Sequence, residues 1–193
     1  MEEEIDSEIL YEHDESQVDM MAERCILVDA DDHAIGSASK MDCHHGDGIL
    51  HRAFSVLLFS GGTDLLVQKR SDDKITFPSV WANTCCSHPL DISGENEDAI
   101  SGVINAAKRK LHQELGIPLQ QLDQIDFQHI GRFQYECRWD KNWVENEVDH
   151  VIVANLPKEL VKSGYVAKQY DWEIDLHVDP NPNEISEVRW LPP

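Results

Sequence analysis

Six short apolar stretches along the chain predict strands. Each is rich in Val, Ile, Leu, Phe or Tyr and is bounded by turn-forming residues such as Asp, Gly and Pro. They lie at residues 25–28, 51–59, 65–70, 127–135, 145–154 and 185–190. A short Gly-containing loop at residues 60–64 joins the second and third stretches, which indicates a hairpin.

One helix is predicted at about residues 96–115. Its apolar residues recur at the i, i+3 and i+4 spacing of a single helical face, acidic residues precede it, and Gly116 with Pro118 ends it. Gly164 interrupts a weaker helical pattern at residues 158–172. Several strands around one strong helix predict a single α+β domain at residues 23–193, after an acidic, flexible N-terminal arm at residues 1–22.

Composition narrows the classes of partner. The 193 residues include 37 acidic and 16 basic side chains, and the net charge of −21 disfavours binding to nucleic acid. No apolar run approaches the roughly 20 residues that span a bilayer, so we expect no membrane partner. The acidic start lacks the basic-then-apolar order of a signal peptide, and five cysteines are an odd count for a disulfide framework. These features are typical of a reduced, intracellular protein.

Histidines and acidic residues offer a candidate metal site. His44, His51 and His88 are spread along the sequence, and three histidines that converge with carboxylates could bind a divalent cation. Glu145 and Glu147 lie two apart on a predicted strand, so they face the same way. Isolated histidines on the surface or in the core, and a solvated face of the strand, are the alternatives that the sequence leaves open.

A cysteine and several bases are further candidates. Cys86 lies two residues before His88, and a nearby metal or cation would lower the pKa of its thiol and suit it to acid–base chemistry. A buried structural cysteine is the alternative. Glu114 lies near the negative end of the predicted helix, where a neighbouring cation would relieve an unfavourable position. Bases that could converge on a phosphate-bearing small molecule, rather than lie scattered on the surface, are Lys40, Lys69, Arg70, Lys74 and Lys110.

Six ordered segments resemble the type 1 isopentenyl-diphosphate isomerase family. They are LHRAFS (50–55), KITFP (74–78), WANTCCSHP (81–89), ELGIP (114–118), WVENE (143–147) and NPNE (181–184). The resemblance extends from about Met21 to the end of the chain, and the cysteine–histidine segment is its most specific part. It implies a Nudix-like mixed β-sheet flanked by helices, and the interconversion of isopentenyl and dimethylallyl diphosphate in isoprenoid and sterol biosynthesis.

The resemblance also implies roles for individual residues. A divalent metal (Mg²⁺, Mn²⁺ or Zn²⁺) would be held by His44, His51, His88, Glu145 and Glu147. Cys86 and Glu147 would be the two acid/base groups, with Tyr135 assisting Glu147, and Glu114 would help hold a Mg²⁺ on the diphosphate. The bases expected to contact the diphosphate are Lys40, Arg70, Lys74 and Lys110, the last of which replaces a residue that is usually arginine in the family.

This sequence departs from the family pattern at several points, and these departures leave two other functions open. Relatives continue beyond Pro193 through further helices, and residues 158–176 resemble an insertion, so we expect a chain that lacks the family's C-terminal helices. A Nudix-type diphosphate hydrolase and an inactive metal-binding remnant of the isomerase are the competing hypotheses. Gln113 and Lys110 stand where the hydrolase motif has acids. We expect a monomer in the cytoplasm, or in the peroxisome if a targeting signal follows the end of this sequence.

Overall fold

The computed structural model of this chain describes residues 10–11, 13–61, 63–157, 160–162, 173–174 and 176–193. Its helices are α1 (Glu15–Met21), α2 (Lys40–His44), α3 (Ala99–Leu115) and α4 (Leu119–Leu122). Its strands are β1 (Arg24–Val28), β2 (Ala34–Ser39), β3 (His51–Ser60), β4 (Asp64–Arg70), β5 (Trp81–Ala82), β6 (Cys85–Ser87), β7 (Asp126–Arg138), β8 (Val144–Asn155), β9 (Val161–Lys162), β10 (Glu173–Ile174) and β11 (Ile185–Leu191).

Strand β3 organises the sheet. It pairs in parallel with β8 along nine residue pairs, from His51 opposite Glu147 to Phe59 opposite Asn155. It also pairs in antiparallel fashion with β4 and with the short β6, where Ser55 lies opposite Cys86. Because β6 and β8 both pair with β3, a cysteine and a group of acidic residues that are far apart in sequence lie on the two strands that flank β3.

The remaining pairings complete one mixed sheet. In the described part of the chain this sheet has nine strands, with β11, β4, β3, β1 and β2 in order and β5, β6, β7 and β8 attached to this path. Strands β9 and β10 form a separate two-stranded sheet. The sequence prediction of a mixed sheet with few helices in a single α+β domain is confirmed.

Helix α3 covers the main hydrophobic core. Val103, Ala107 and Leu111 have no exposed surface and pack with apolar residues of β3, β4 and β8. The helix begins three residues later than predicted, because Asp98 caps it by accepting a hydrogen bond from the Ser101 N–H at 2.8 Å. It ends at Gly116, whose φ of +64° favours glycine and where a Cβ would collide with the Asp179 carbonyl oxygen.

The N-terminal arm contains a short helix where the structure describes it. Residues 15–21 form helix α1, whose Asp14 cap accepts a hydrogen bond from the Ser16 N–H at 2.9 Å. Met21 packs with Met41, Ile75 and Trp143 in a second apolar cluster. The sequence did not predict this packing because α1 spans only two turns, too few for a clear periodic pattern. The domain boundary at residue 22 stays a prediction.

Two further predictions concern segments with partial or no description. The interrupted helical pattern at residues 158–172 lies largely outside the described residues, which include only 160–162 of it. Among the helices that the structure describes, none is both long and apolar enough to cross a membrane.

Candidate active site

Three histidines and one carboxylate converge near the N-terminal ends of the parallel strands β3 and β8. The ligand atoms of His44, His51, His88 and Glu147 lie within 4.8 Å of one another, and all four residues are buried. Glu147 Oε1 is 2.9 Å from His88 Nε2, 3.5 Å from His51 Nε2 and 3.7 Å from His44 Nε2. Helix α2, strands β3 and β8, and the segment after β6 therefore each bring one group to a common point.

Backbone contacts set the ring orientation of two of these histidines. His44 Nδ1 lies 2.8 Å from the Lys40 carbonyl, and His51 Nδ1 lies 2.7 Å from the Ile49 carbonyl. A carbonyl accepts a hydrogen bond, so each Nδ1 bears a proton and each Nε2 is the ring nitrogen that faces Glu147. His51 Nε2 is buried and has no hydrogen-bond partner. Three imidazole nitrogens and a carboxylate oxygen that converge on one buried point are a donor set that fits a divalent metal.

The ionisation states of His44, His88 and Glu147 agree with that fit. Burial holds the pKa of His88 well below its ordinary value and also lowers the pKa of His44. At His51 burial lowers the pKa as well, but the hydrogen bond with Glu147 and the charge of that carboxylate outweigh burial and raise the pKa. Burial opposes ionisation of Glu147 too, but hydrogen bonds with the three histidines hold its pKa well below the usual carboxyl range. Neutral imidazoles beside an ionised carboxylate are the forms that bind metals.

Glu145 lies outside this group of four, although the resemblance implies that it is a metal ligand. It is joined to the group through Tyr135, whose hydroxyl contacts Glu147 Oε2 at 2.6 Å and Glu145 Oε2 at 2.9 Å. Burial and the neighbouring charge of Glu147 raise the pKa of Glu145 to about 7. The two carboxylates do share one face of β8, as their spacing predicted.

Cys86 lines the same cavity in a different chemical state from the one expected. The sequence suggested a thiol with a lowered pKa, but burial raises the pKa of Cys86 to about 12. Its Sγ donates a hydrogen bond to Asn83 Oδ1 and lies 3.7 Å from Ser55 Oγ. Burial outweighs the hydrogen bonds with Ser55 and Asn83 and the charge of Arg70, which lower the pKa, and the effect of a bound metal on this thiol stays a prediction. Cys86 is therefore a protonated thiol that can donate a proton.

The predicted bases meet on the cavity wall. Lys40, Arg70, Lys74 and Lys110 all line a cavity of about 200 Å³ together with Cys86, Tyr135, Glu145 and Glu147. Lys69 does not line it. Arg70 is held by the loop that follows β4, since its Nε donates to the Phe77 carbonyl at 2.9 Å and its Nη2 to the Thr76 carbonyl at 2.7 Å. Four cationic side chains in one small cavity suit a highly charged anion.

Glu114 brings a carboxylate to the basic part of the cavity. Its Oε1 is 3.0 Å from Lys110 Nζ, one helical turn earlier, and its Oε2 accepts from Cys85 Sγ at 3.7 Å. Lys110 is a neighbouring cation of the kind that was expected to relieve the unfavourable position of Glu114 at the negative end of the helix. A carboxylate facing a site for a polyanion fits a role in holding a cation such as Mg²⁺ on that anion.

Comparisons with known proteins agree with this geometry. A family model described as NUDIX domain matches residues 49–193. The isopentenyl-diphosphate delta-isomerase IDI1 of Gibberella zeae is 46% identical over 168 residues, which cover 82% of this chain and 66% of that protein. The isopentenyl-diphosphate delta-isomerase 1 of Mus musculus is 44% identical over 173 residues, covering 83% of this chain and 76% of the mouse protein.

The chain belongs to the isopentenyl-diphosphate delta-isomerase family. It spans about two thirds to three quarters of the length of these relatives. A crystal structure of DR0079 from Deinococcus radiodurans, 17% identical, aligns with a TM-score of 0.57 over 88% of this chain and 83% of that one. At that identity the likeness concerns the fold alone. The predicted family and the predicted Nudix fold are confirmed.

The isomerase fold also places a residue at the site that the sequence analysis missed. Asp149 lies on the cavity face of β8, two residues beyond Glu147, and its Oδ2 accepts a hydrogen bond from Ser55 Oγ at 2.8 Å. Burial raises its pKa to about 7. The same two-residue spacing that linked Glu145 with Glu147 could have identified Asp149.

The sequence analysis also missed Glu184 and Gln17, because their contacts join parts of the chain that are far apart in sequence. Glu184 forms an ion pair with Lys74, and the Gln17 side chain donates to Glu184. Both partners are separated from Glu184 by more than 100 residues, and no local pattern connects them.

Proposed function

We propose that this chain converts isopentenyl diphosphate to dimethylallyl diphosphate. One observation supports this most directly: a single cavity contains a protonated thiol, a carboxylate joined to a tyrosine hydroxyl, and four bases. The bases suit the diphosphate, and the two groups of opposite protonation state suit a proton shift along the hydrocarbon end.

The chemistry needs one proton donor and one proton acceptor. Protonation of the terminal alkene carbon leaves a tertiary carbocation on the branched carbon. Loss of a proton from the CH₂ group on the other side of that carbon forms the new double bond, so atoms and charge balance without a co-reactant. The Cys86 thiol and the Glu147 carboxylate, with the Tyr135 hydroxyl beside it, are the donor–acceptor pair. Because the reaction is reversible, each serves in the other role in the reverse direction.

The cavity also has to protect the intermediate. A carbocation reacts with water, so the reacting carbons must be kept from solvent. Phe54, Ile75, Phe77 and Val80 supply apolar lining to the cavity that contains Cys86. These side chains favour the hydrocarbon end of the substrate and disfavour water.

The metal-binding proposal is narrower than the one from sequence. His44, His51, His88 and Glu147 would hold a divalent cation, which would supply positive charge that fixes the Glu147 carboxylate. Three nitrogen donors suit Zn²⁺ or Mn²⁺ better than Mg²⁺, which prefers oxygen ligands. Mg²⁺ belongs with the diphosphate and Glu114. Glu145 acts through Tyr135 in this proposal.

A product assay with a matched pair of cysteine variants tests the activity. The protein, supplied with isopentenyl diphosphate, Mg²⁺ and Zn²⁺ or Mn²⁺, is expected to form dimethylallyl diphosphate, and C86A is expected to form none while it unfolds at the same temperature. Cys137 is exposed, so C137A is the control and is expected to turn over normally. Turnover retained by C86A would remove the thiol from the mechanism.

Diphosphate hydrolysis is the weaker candidate. The Lys110 ammonium lies against Glu114, at a position where the hydrolase motif has an acid, and so reduces the negative charge available for metal ions. We therefore expect no phosphate release from nucleoside diphosphates or from the isomerase substrate. Release at a rate comparable to isomerisation would overturn this, and metal and substrate binding without any turnover would instead support the inactive remnant.

The monomeric state and the cytoplasmic or peroxisomal location stay proposals.

A further inference from the structure

Helix α1 reaches the cavity through one side chain. Gln17 is 3% exposed and lines the cavity, although its neighbours on both sides along the chain are more exposed. Its Nε2 donates to the Asn183 carbonyl at 3.0 Å and to Glu184 Oε1 at 2.9 Å. A buried amide that donates to a carboxylate forms a strong, charge-assisted contact. The N-terminal helix is thus tied to the turn before β11.

Glu184 also contacts Lys74, one of the bases that line the cavity. Its Oε2 is 2.7 Å from Lys74 Nζ, and its backbone carbonyl accepts from the Ser71 N–H at 2.9 Å. Gln17 occupies one carboxylate oxygen and Lys74 the other, so the carboxylate cannot turn towards either partner alone. The loop that contains Lys74 is therefore fixed at its first residue and at its ammonium.

We propose that Gln17 and Glu184 are positioning residues that hold the Lys74 ammonium at the diphosphate end of the cavity, which makes helix α1 part of the substrate site. This inference rests on the proposed function, because it assumes that the cavity binds a diphosphate. It assigns to α1 a role that the sequence pattern, an acidic arm, did not suggest.

The Gln17 contact has a specific consequence for charge. With the amide in place, Glu184 offers a single oxygen to Lys74 and leaves the other donor positions of the ammonium free for phosphate oxygens. Without the amide, both carboxylate oxygens are free to take the ammonium and draw it away from the cavity. Burial lowers the pKa of Lys74 to about 8, and the Glu184 charge opposes that change. Glu184 thus also favours the charged lysine that a diphosphate needs.

Packing alone does not account for Gln17. Met21, one turn along α1, already anchors the helix through Met41 and Ile75. An apolar residue at position 17 would anchor the helix equally well, but it would leave the buried Glu184 Oε1 without its donor. The amide is needed only if the carboxylate behind Lys74 must be held.

Binding of inorganic diphosphate with Mg²⁺, measured by calorimetry, tests the proposal without requiring turnover. Q17M keeps the side-chain length and removes the donor, and it is expected to weaken binding about tenfold, which corresponds to the loss of one contact to a charged group. E184Q is expected to weaken binding as well, because Lys74 loses the charge that favours its ammonium form. D19N, an exposed position on the same helix, is the control and is expected to bind normally.

Kinetics with isopentenyl diphosphate separate positioning from general damage. KM is expected to rise about tenfold in Q17M while kcat stays within about twofold, since Cys86 and Glu147 are untouched. Unchanged diphosphate affinity in folded Q17M and E184Q, or a fall in kcat equal to the rise in KM, would overturn the proposal. If Q17M and E184Q bind diphosphate less tightly and no variant isomerises substrate, this inference stands while the proposed activity fails.

Discussion

Two buried clusters of histidine and carboxylate lie on opposite faces of β8, and they differ in how their polar atoms are used. Glu147 faces the cavity, whereas His150, three residues on, faces the other side of the sheet. The cavity cluster leaves His51 Nε2 without a hydrogen-bond partner, and Asp149 Oδ1 on the same face is also unpartnered. On the opposite face, every side-chain polar atom of Asp32 and His150 has a partner.

Contacts in this second cluster form a closed set. Asp32 Oδ1 accepts from Arg52 Nε at 2.7 Å, and Asp32 Oδ2 lies 2.9 Å from His150 Nε2. His150 Nδ1 is 3.0 Å from His129 Nε2, and Arg52 Nη2 also donates to the Asp32 carbonyl at 2.7 Å. Both carboxylate oxygens of Asp32 and both ring nitrogens of His150 therefore have hydrogen-bond partners within the protein.

The two clusters thus differ in how completely the protein itself satisfies their buried polar atoms. A satisfied network adds to the specificity of the fold, whereas an unsatisfied buried atom costs stability. Ser60 Oγ and Asp64 Oδ2, which lie outside the cavity, also have no partner, so what marks the cavity face is that its unpartnered atoms lie among side chains able to bind a metal. Residue types alone do not distinguish the two clusters, since both combine histidines with an acid. The pairing of each atom does, and it supports our proposal of metal binding at the cavity face and a structural role for the other cluster.

The largest expected effect follows from E147Q. The amide cannot accept a proton as a carboxylate can, and it is a poor metal ligand, so isomerisation is expected to fall by roughly a thousandfold or more. Product formation under saturating substrate is the measurement. A folded E147Q protein that retains a tenth of the activity would show that the Glu147 carboxylate is not the proton acceptor.

The second prediction concerns stability and the opposite face. D32A leaves Arg52 and His150 buried without their acid, which is expected to lower the free energy of unfolding by about 3–5 kcal/mol. Urea unfolding measures the loss, and zinc titration is expected to give the same metal affinity as the unchanged protein. D31A, at the exposed neighbouring position, is the control. Weaker metal binding in folded D32A would mean that the two faces are coupled.

The third prediction uses the metal itself. Metal that binds only the folded protein stabilises it, by about 2.7 kcal/mol at a concentration one hundred times the dissociation constant. Addition of Zn²⁺ or Mn²⁺ to chelator-treated protein is therefore expected to raise the unfolding temperature by several degrees, and H51N is expected to abolish most of that rise. A rise of equal size in H51N would contradict the cavity cluster as the binding site.

Part of this comparison was available from the sequence. Strand β8 and helix α3 are long enough for their periodicity to show, so the shared face of Glu145 and Glu147 and the position of Glu114 were predictable. The ordered motifs of the isomerase family then grouped the histidines with Cys86. Their convergence required the pairings of β3 with β6 and β8, which local pattern cannot supply.

What escaped prediction shares a physical cause. Helix α2 has five residues and β6 has three, so neither contains enough positions for a periodic signal. The Gln17–Glu184 contact and the Asp32–His150 contact join residues 167 and 118 positions apart. The raised pKa of Cys86 depends on burial, which is a property of the packed domain and not of the residues beside it.

The smallest expected effect is a dependence of stability on acid pH that belongs to the closed cluster. Burial opposes ionisation of Asp32, yet hydrogen bonds from His150 and Arg52 lower its pKa below the ordinary aspartate value of about 3.9. A carboxyl group with a lowered pKa adds stability above its unfolded pKa and loses it as the pH falls through its folded pKa. The stability difference between the unchanged protein and D32N is therefore expected to be constant above about pH 5 and to shrink below about pH 4, by at most about 1.4 kcal/mol per pH unit. Urea unfolding between pH 3 and 6 measures it, and a difference that stays constant down to pH 3 would mean that the Asp32 carboxylate contributes no charge-dependent stability in that range.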